Sequence, residues 1–305
     1  MRISPQTSEI VLNALQVSDQ AEQTALTQLT TGRRVNVASD DPSAAALEVS
    51  IAYQMDSCDQ YQRSISSVTS ELQTADSSLN TVVTGLQQAI SLGVEGANGT
   101  LSQQDRNTLA QEVSGISQQV LSVANLSYNG NYVFAGTATS QPPYVVNDGV
   151  PGGIAYQGND GVNSVEIEAG QSVAVNQPGS QLFSAPGASV FVALNDLTTA
   201  LQDPSSTTQD IGDATTEIRT AYDQLTSARA FYGSTVDQLV ASADFLNSES
   251  VQLAQQQNST VGVDMNVAAT NLSNAEAARN ATVQAAASMS SVSLMDYIST
   301  IDAAG

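Results

Sequence analysis

Between Pro42 and Leu92 apolar residues recur at alternating steps of four and three. The series runs Leu47, Ile51, Gln54, Cys58, Tyr61, Ile65, Val68, Leu72, Ala75, Leu79, Val82, Leu86 and Ala89, and only Gln54 is plainly polar. A 3.5-residue repeat sustained this long makes a stripe that needs a partner helix along its whole length. At 1.5 Å per residue the helix would be about 75 Å long, far longer than a typical globular helix. Ser39-Asp40-Asp41-Pro42 marks its start, with an acidic cap and a proline at the first helical position. Gly93, Gly96 and Asn98-Gly99 mark its end.

The same spacing continues through Leu109, Val113, Ile116, Val120 and Val123, which predicts an antiparallel hairpin across residues 93–100. It resumes at Val190, Leu194, Leu197 and Leu201, breaks at Asp203-Pro204-Ser205, and returns from Ile211 to Leu253. The last stripe is weaker, with Thr235, Ser242 and Glu249 on the seam. The centre, residues 136–189, reads differently. Pro and Gly clusters alternate there with short runs such as Tyr144-Val145-Val146, Ile154-Ala155-Tyr156 and Val165-Glu166-Ile167-Glu168, the pattern of strands and hairpins. The expected architecture is mainly α: a long antiparallel coiled-coil helical rod with a small inserted β domain.

The two ends carry thinner patterns. Val11, Leu15, Ala25 and Leu29 share one heptad register that Ser18 and Glu22 interrupt, while Leu12 and Leu26 broaden it. Residues 265–305 scatter Leu272, Val283, Met289, Leu294, Ile298 and Ile301 over a Ser/Ala/Thr/Asn background. Neither end alone carries enough apolar surface to offset the entropy of ordering it, so both are expected to be poorly ordered in a free monomer. The resulting organisation is an N-terminal segment (1–39), a helical arm (40–135), the β domain (136–189), a second arm (190–264) and a C-terminal segment (265–305).

Composition then narrows the chemistry. The chain has 305 residues, Lys+Arg 8 with every cation an Arg, Asp+Glu 30, no His, no Trp and one Cys, for a formal net charge of -22. Without His there is no Ser-His-Asp or Cys-His nucleophile pair, and without Lys no Walker A loop or Schiff base. So acidic a surface repels nucleic acid and anionic membranes. No apolar run at the N-terminus suggests a signal peptide, and no stretch is long enough to span a bilayer. Carboxylate chemistry or binding remains, with no cofactor and no metal site expected.

Gly158-Asn159-Asp160-Gly161-Val162-Asn163 resembles a calcium loop superficially but lacks its ligand pattern. A hairpin turn joining Ile154–Gln157 to Ser164–Glu168 fits better. Glu166 and Glu168, two apart on one strand face, admit a remote reading as hydrolase carboxylates, against the ordinary one of a solvated edge. Asn-x-Ser/Thr sequons are frequent only because the chain is rich in those residues. Arg33-Arg34 is too small for a nucleic-acid patch; it is either a solvated pair or a contact with an acidic neighbouring subunit.

Particular residues add a resemblance. Gln28-Leu29-Thr30-Thr31-Gly32-Arg33-Arg34-Val35-Asn36-Val37-Ala38-Ser39-Asp40-Asp41-Pro42-Ser43-Ala44-Ala45 resembles the N-terminal signature of the bacterial flagellin superfamily. The Ala124 to Gly136 stretch, Tyr156-Gln157-Gly158-Asn159-Asp160-Gly161 and the tail Ser293-Leu294-Met295-Asp296-Tyr297-Ile298 are similar to further motifs of that family. The start Met1-Arg2-Ile3-Ser4 and the tail resemble its hook–filament junction branch rather than filament flagellin, which stays the nearest alternative.

The resemblance implies a structural, non-enzymatic adaptor of the extracellular flagellum, required for filament attachment and motility. It implies export without a cleavable signal through the flagellar type III channel. Its implied partners are copies of itself in a ring, the first hook–filament junction protein on the hook side, flagellin on the filament side, and a cytoplasmic export chaperone at the C-terminal region. The expected assembly surface comprises Val11, Leu15, Leu26, Leu29, Arg33 and Arg34 at one end, with Leu294, Ile298 and Ile301 at the other.

Overall fold

The long 3.5-residue stripe folds into one uninterrupted helix. The computed structural model describes the backbone of residues 5–302 and the side chains of residues 9–288. After α1 (Pro5–Thr31) comes α2 (Pro42–Gly96), a single helix of 55 residues. The stripe that returns after the centre is equally continuous, as α6 (Thr208–Val261). Between them lie α3 (Gln103–Ala124), a set of short strands, and α5 (Val190–Gln202); α7 (Met265–Asp302) closes the chain. The chain divides into two compact units, one from the two chain ends (1–57 with 249–305), the other from Cys58–Ser248.

In the Cys58–Ser248 unit the seam is the one the spacing predicts. Ile65, Leu72, Ala75, Leu79, Val82, Leu86 and Ala89 of α2 are buried, as are Ile218, Ala221, Leu225, Ala228, Tyr232 and Leu239 of α6. Polar pairs give the direction. Arg229 grips Asp76 with two hydrogen bonds, Nε to Oδ1 at 2.9 Å and Nη2 to Oδ2 at 3.2 Å, and Gln87 Nε2 donates to the Tyr222 hydroxyl at 3.0 Å. Numbers rise on α2 as they fall on α6, so the pair is antiparallel. α3 and α5 complete a four-helix arrangement near the end of α2. There Gly85 faces Ile116, Gly93 faces Thr215 and Leu197, and Gly96 faces Leu201 and Leu109. α3 begins with a capping box, in which Ser102 Oγ accepts from Asp105 N (3.2 Å) and Asp105 Oδ2 accepts from Ser102 N (3.3 Å).

The centre forms two-stranded antiparallel hairpins. β1 (Ser127–Tyr128) pairs with β2 (Asn131–Tyr132), β3 (Tyr144–Val146) with β4 (Ile154–Tyr156), β5 (Ser164–Glu168) with β6 (Gln171–Ala174), and β7 (Ser184–Ala185) with β8 (Ala188–Ser189). A short helix α4 (Gly179–Leu182) precedes β7. This corrects the expected hairpin between residues 154–157 and 164–168: β4 and β5 take different partners, and the stretch between them is a connecting loop. The loop is shaped by Asn159, whose Oδ1 accepts from Thr137 N (2.8 Å) and Gly161 N (3.1 Å) while its Nδ2 donates to Thr137 Oγ1 (2.8 Å). Gly136, at φ +70°, passes so close that a Cβ would strike the Asn159 carbonyl.

Strands of two to five residues cannot stand alone; an aromatic cluster holds them. Tyr144 packs edge-on to Phe183 (ring centroids 5.8 Å) and tilted against Tyr156 (5.1 Å) and Phe191 (5.2 Å), and Phe134 stacks edge-on to Phe183 (5.3 Å). Burial pushes the Tyr144 phenol far above its usual range, and its oxygen accepts from Ser184 Oγ at 3.3 Å. Asn125 at the end of α3 acts as one more strand residue, accepting from Tyr144 N (2.9 Å) and donating to Tyr144 O (2.8 Å). One polar seam position of α6, Ser242, now has a reason. Tyr232 accepts from Gln177 N at 3.4 Å, and the Ser242 hydroxyl meets the Ile167 carbonyl at 3.5 Å, so this stretch of α6 faces strand-and-loop backbone as well as a helix.

Gly93 tests the packing. A methyl there would collide with the Thr215 hydroxyl, with Leu197 Cδ2 only 3.3 Å away. Gly93→Ala should cost about 1–3 kcal/mol, as overpacking does. Adding Thr215→Ala should recover most of it in a urea-denaturation double-mutant cycle; additive losses would contradict the packing described.

Candidate assembly surface at the paired chain ends

The broken seam of α1 is completed by α7. In the unit formed by the chain ends the two helices run antiparallel, Asp19 and Glu22 meeting Arg279 while residues 31–33 meet Gly262. On α1 the register expected from the spacing faces inward: Ser18 and Ala25 are buried, and Val11, Leu15, Glu22 and Leu29 are half-buried. On α7 it is answered by Ala268 and Ala275, buried, with Leu272, Thr282 and Ala286 half-buried. Small residues dominate, so the helices approach over a thin apolar seam. The polar interruption has a partner in the one cation of α7. Arg279 Nε lies 2.8 Å from Asp19 Oδ1, and Nη1 lies 3.4 Å from Glu22 Oε2, an ion pair without hydrogen-bond geometry.

The expected residues therefore separate into three groups. Val11, Leu15 and Leu29 belong to the internal seam. Leu26 is 51% exposed and points away from it, as do Ile10, Leu12 and Val17 on α1 and Met265, Val267 and Val283 on α7. Leu294, Ile298 and Ile301 lie outside the described side chains. Both thinly patterned ends are helical, and each supplies the other with a seam.

Arg33 and Arg34 sit where the chain leaves α1. Gly32, at φ +70°, ends the helix, its N–H donating to Gln28 O at 2.9 Å. A short antiparallel bridge to the other chain end follows: Arg34 N donates to Val261 O (2.7 Å) and Val263 N to Gly32 O (3.1 Å). The Arg34 guanidinium spans two acceptors through Nη2, Asp41 Oδ2 at 3.1 Å and Thr260 O at 3.0 Å, while Arg33 pairs with Glu48. Val35, Ala44 and Val261 form a small core beneath. Both arginines thus have partners within their own chain. Asp41 is the N-cap of α2, accepting from Ala44 N at 3.1 Å and from Ser43 Oγ at 2.7 Å. The Ser43 hydroxyl first, then the Ala44 amide and Arg34, hold its carboxyl down at about 2. Asp40 is also lowered, by the amides of Asn36 and Val37.

Sequence reasoning missed Arg279 and the bridge at Gly262. The first had a signal, a lone cation on α7 and an acidic break in the α1 register. The bridge had none, since it is made by backbone. As for the hydrolase reading, Glu166 Oε1 accepts from Gly170 N at 3.0 Å and faces the Tyr61 hydroxyl at 3.5 Å, and a bulge separates it from Glu168. Among the described residues no cluster of three or more His, Cys, Asp or Glu could hold a metal ion. Nor, among the described residues, is any helix long and apolar enough to cross a membrane.

This geometry defines a class: mainly α proteins with two long helices, a small β insertion and chain ends that pair as antiparallel helices. Residues 4–139 match the family of the bacterial flagellin N-terminal helical region. The chain is 33% identical over 159 residues to flagellar hook-associated protein 3 of Salmonella typhimurium, an alignment covering 52% of this chain and 49% of that protein. It is 28% identical over 290 residues to the protein of the same name from Escherichia coli, covering 88% and 90%. The fold is shared with flagellar hook associated protein-3 from Legionella pneumophila at a TM-score of 0.63 and 15% identity, over 68% of this chain and 97% of that one. The chain is thus similar to bacterial flagellins over residues 4–139, and to hook-associated protein 3 at lower identity over most of its length.

Two measurements probe the site. Asp41, depressed from 3.8 to about 2, stabilises the fold fully above the higher value and loses that contribution as pH falls through the lower one. Its carboxyl should titrate by NMR with a midpoint near 2, and the Ala44 amide should lose exchange protection over the same fall in pH. A midpoint at 3.8 would remove the cap. Arg279→Gln should raise hydrogen exchange in residues 19–25 by up to about fivefold, matching the roughly 0.2–1 kcal/mol of an exposed ion pair. Exchange at Leu225 should not change.

Proposed function

We propose that the chain is a structural adaptor that polymerises as a ring between the hook and the filament of the bacterial flagellum. The observation that carries the reading is the alignment with the Escherichia coli protein across 90% of its length, taken with terminal helices that pair to each other. The chain then works in the extracellular flagellum, reached through the flagellar type III channel. Its proposed neighbours are copies of itself, the first hook–filament junction protein on one side and flagellin on the other. A cytoplasmic export chaperone holds the C-terminal region before assembly. No bond is made or broken; the work is mechanical.

In this reading 1–39 and 265–305 are assembly segments, 40–135 and 190–264 the two arms, and 136–189 a projecting β domain. Leu26, together with Ile10, Leu12 and Val17, offers apolar surface that only neighbouring subunits cover, while the internal seam keeps Val11, Leu15 and Leu29. Leu294, Ile298 and Ile301 extend the proposed surface on α7, and Arg33 and Arg34 shape the crossover beside it. The surfaces are head-to-tail, so they close only within a helical lattice. A seam of small residues holds the terminal pair loosely before assembly, and contacts with neighbours complete it.

Deleting the coding sequence should leave hooks without filaments and flagellin secreted as monomer, with both restored by the intact gene. Normal motility after deletion would refute the adaptor. In the isolated subunit, limited proteolysis should leave residues 40–264 as the resistant core; equal resistance of the two ends would refute a pair that completes on assembly.

A further inference from the structure

A cleft of about 620 Å³ opens beside the β module, within the unit formed by Cys58–Ser248. All three residues of β4 line it, Ile154, Ala155 and Tyr156, and no residue of β3 does. Successive strand residues point to opposite faces, so a wall that meets three in a row is the edge of the strand. The register shows which groups lie on that edge. Gln157 N donates to Pro143 O (2.7 Å) and Asn147 N to Gly153 O (2.9 Å), which puts the Val145–Ala155 pair in the hydrogen-bonded phase. Ile154 and Tyr156 therefore turn their N–H and C=O away from β3, and β4 has no second neighbour strand. An unpaired edge of this kind is a template for another strand.

The surroundings specify the rest. Val192 and Ala193 of α5 give the cleft an apolar wall. The edge is held in place because the turn before β4 rests on α5, with a Cβ on Gly152 only 2.8 Å from Val192 N. Two charged side chains line the cleft, Asp196 and Glu217, both exposed, and no arginine does.

We propose that this cleft binds an extended, apolar and cationic peptide segment of another protein by strand addition to β4. Backbone hydrogen bonds from Ile154 and Tyr156 would hold the segment, and Asp196 and Glu217 would select its positive charge. Charge complementarity also argues against a second copy as the donor. Among the described residues, Arg63, Arg106, Arg219, Arg229 and Arg279 are in helices, while Arg33 and Arg34 are engaged at the crossover.

The test uses the full-length chain, isotope-labelled, and synthetic peptides of alternating Val and Thr. One peptide carries Arg, a second carries Glu in its place, and a third is the Arg peptide N-methylated on one edge. The Arg peptide should shift the Ile154 and Tyr156 amides. Its affinity should fall about tenfold or more in the Asp196→Asn, Glu217→Gln double variant, and similarly on N-methylation. Both substitutions are on exposed side chains, so the fold should stand, which thermal unfolding of the variant checks. Equal binding of the Glu peptide, indifference to N-methylation or to the double variant, or no shift of these amides at millimolar peptide would overturn the proposal. So would shifts of the same amides on raising the chain's own concentration, because that result gives the cleft to a second copy.

Discussion

The rest of the Cys58–Ser248 unit depends on the antiparallel apolar seam between α2 and α6. The chain has few aromatic residues, no disulfide and a large net charge, so little else is available to offset self-repulsion and chain entropy. Leucine, isoleucine and valine positions along the seam are almost wholly removed from water, at about 1.5–3 kcal/mol each when fully buried. Cys58 is on the same stripe and buried, which makes it a small apolar seam residue rather than a reactive thiol. The aromatic cluster around Tyr144 works only because α5 presents Phe191 to it and α3 ends on Asn125. The β module is thus built on helices that the seam positions, and its short strands have no independent stability.

How much was legible in the sequence follows from the range of each interaction. The stripe from Ile51 to Ala89 is a long periodic signal read within one helix, and it led directly to the buried face of α2. The weaker α6 stripe was equally visible, but the reason for its polar Ser242 was not, because Ser242, like Tyr232, answers a backbone group from a distant segment. Strand pairing failed for a related reason. Three-residue strands carry almost no register information, and Asn159, which looks like a turn former, spends its side chain on Thr137. On α1 the register faces inward in every member, including the polar break, whereas on α7 Val283 faces outward. What stayed hidden was that Arg279 fills the break and that the crossover joins Gly32 to Val263 through backbone.

The division of charge has a structural counterpart. Residues 1–39 are neutral, with Arg2, Arg33 and Arg34 set against Glu9, Asp19 and Glu22, whereas the acidic excess lies almost wholly between the two terminal segments. Repulsion is weakest in the segments that pair with each other and, in the proposed assembly, crowd with their neighbours. The paired ends thereby accept a seam of alanine and serine that could not resist strong like-charge repulsion.

The absence of Lys gains a partial physical account from the arginines. Two of them hydrogen-bond two acceptors at once, Arg229 with Asp76 and Asn80 and Arg34 with Asp41 and the Thr260 carbonyl, while Arg279 forms an ion pair with Asp19 and Glu22. A planar guanidinium can hold two acceptors in a fixed fork, whereas an ammonium acts as a hydrated point charge on a flexible stem. In a chain with so few cations, each of these joins segments far apart in sequence, or a loop to a helix cap. Geometry is then worth more than charge. Lysine would supply the charge without the angle by which Arg229 joins α6 to α2 and Arg34 joins the crossover to the cap of α2.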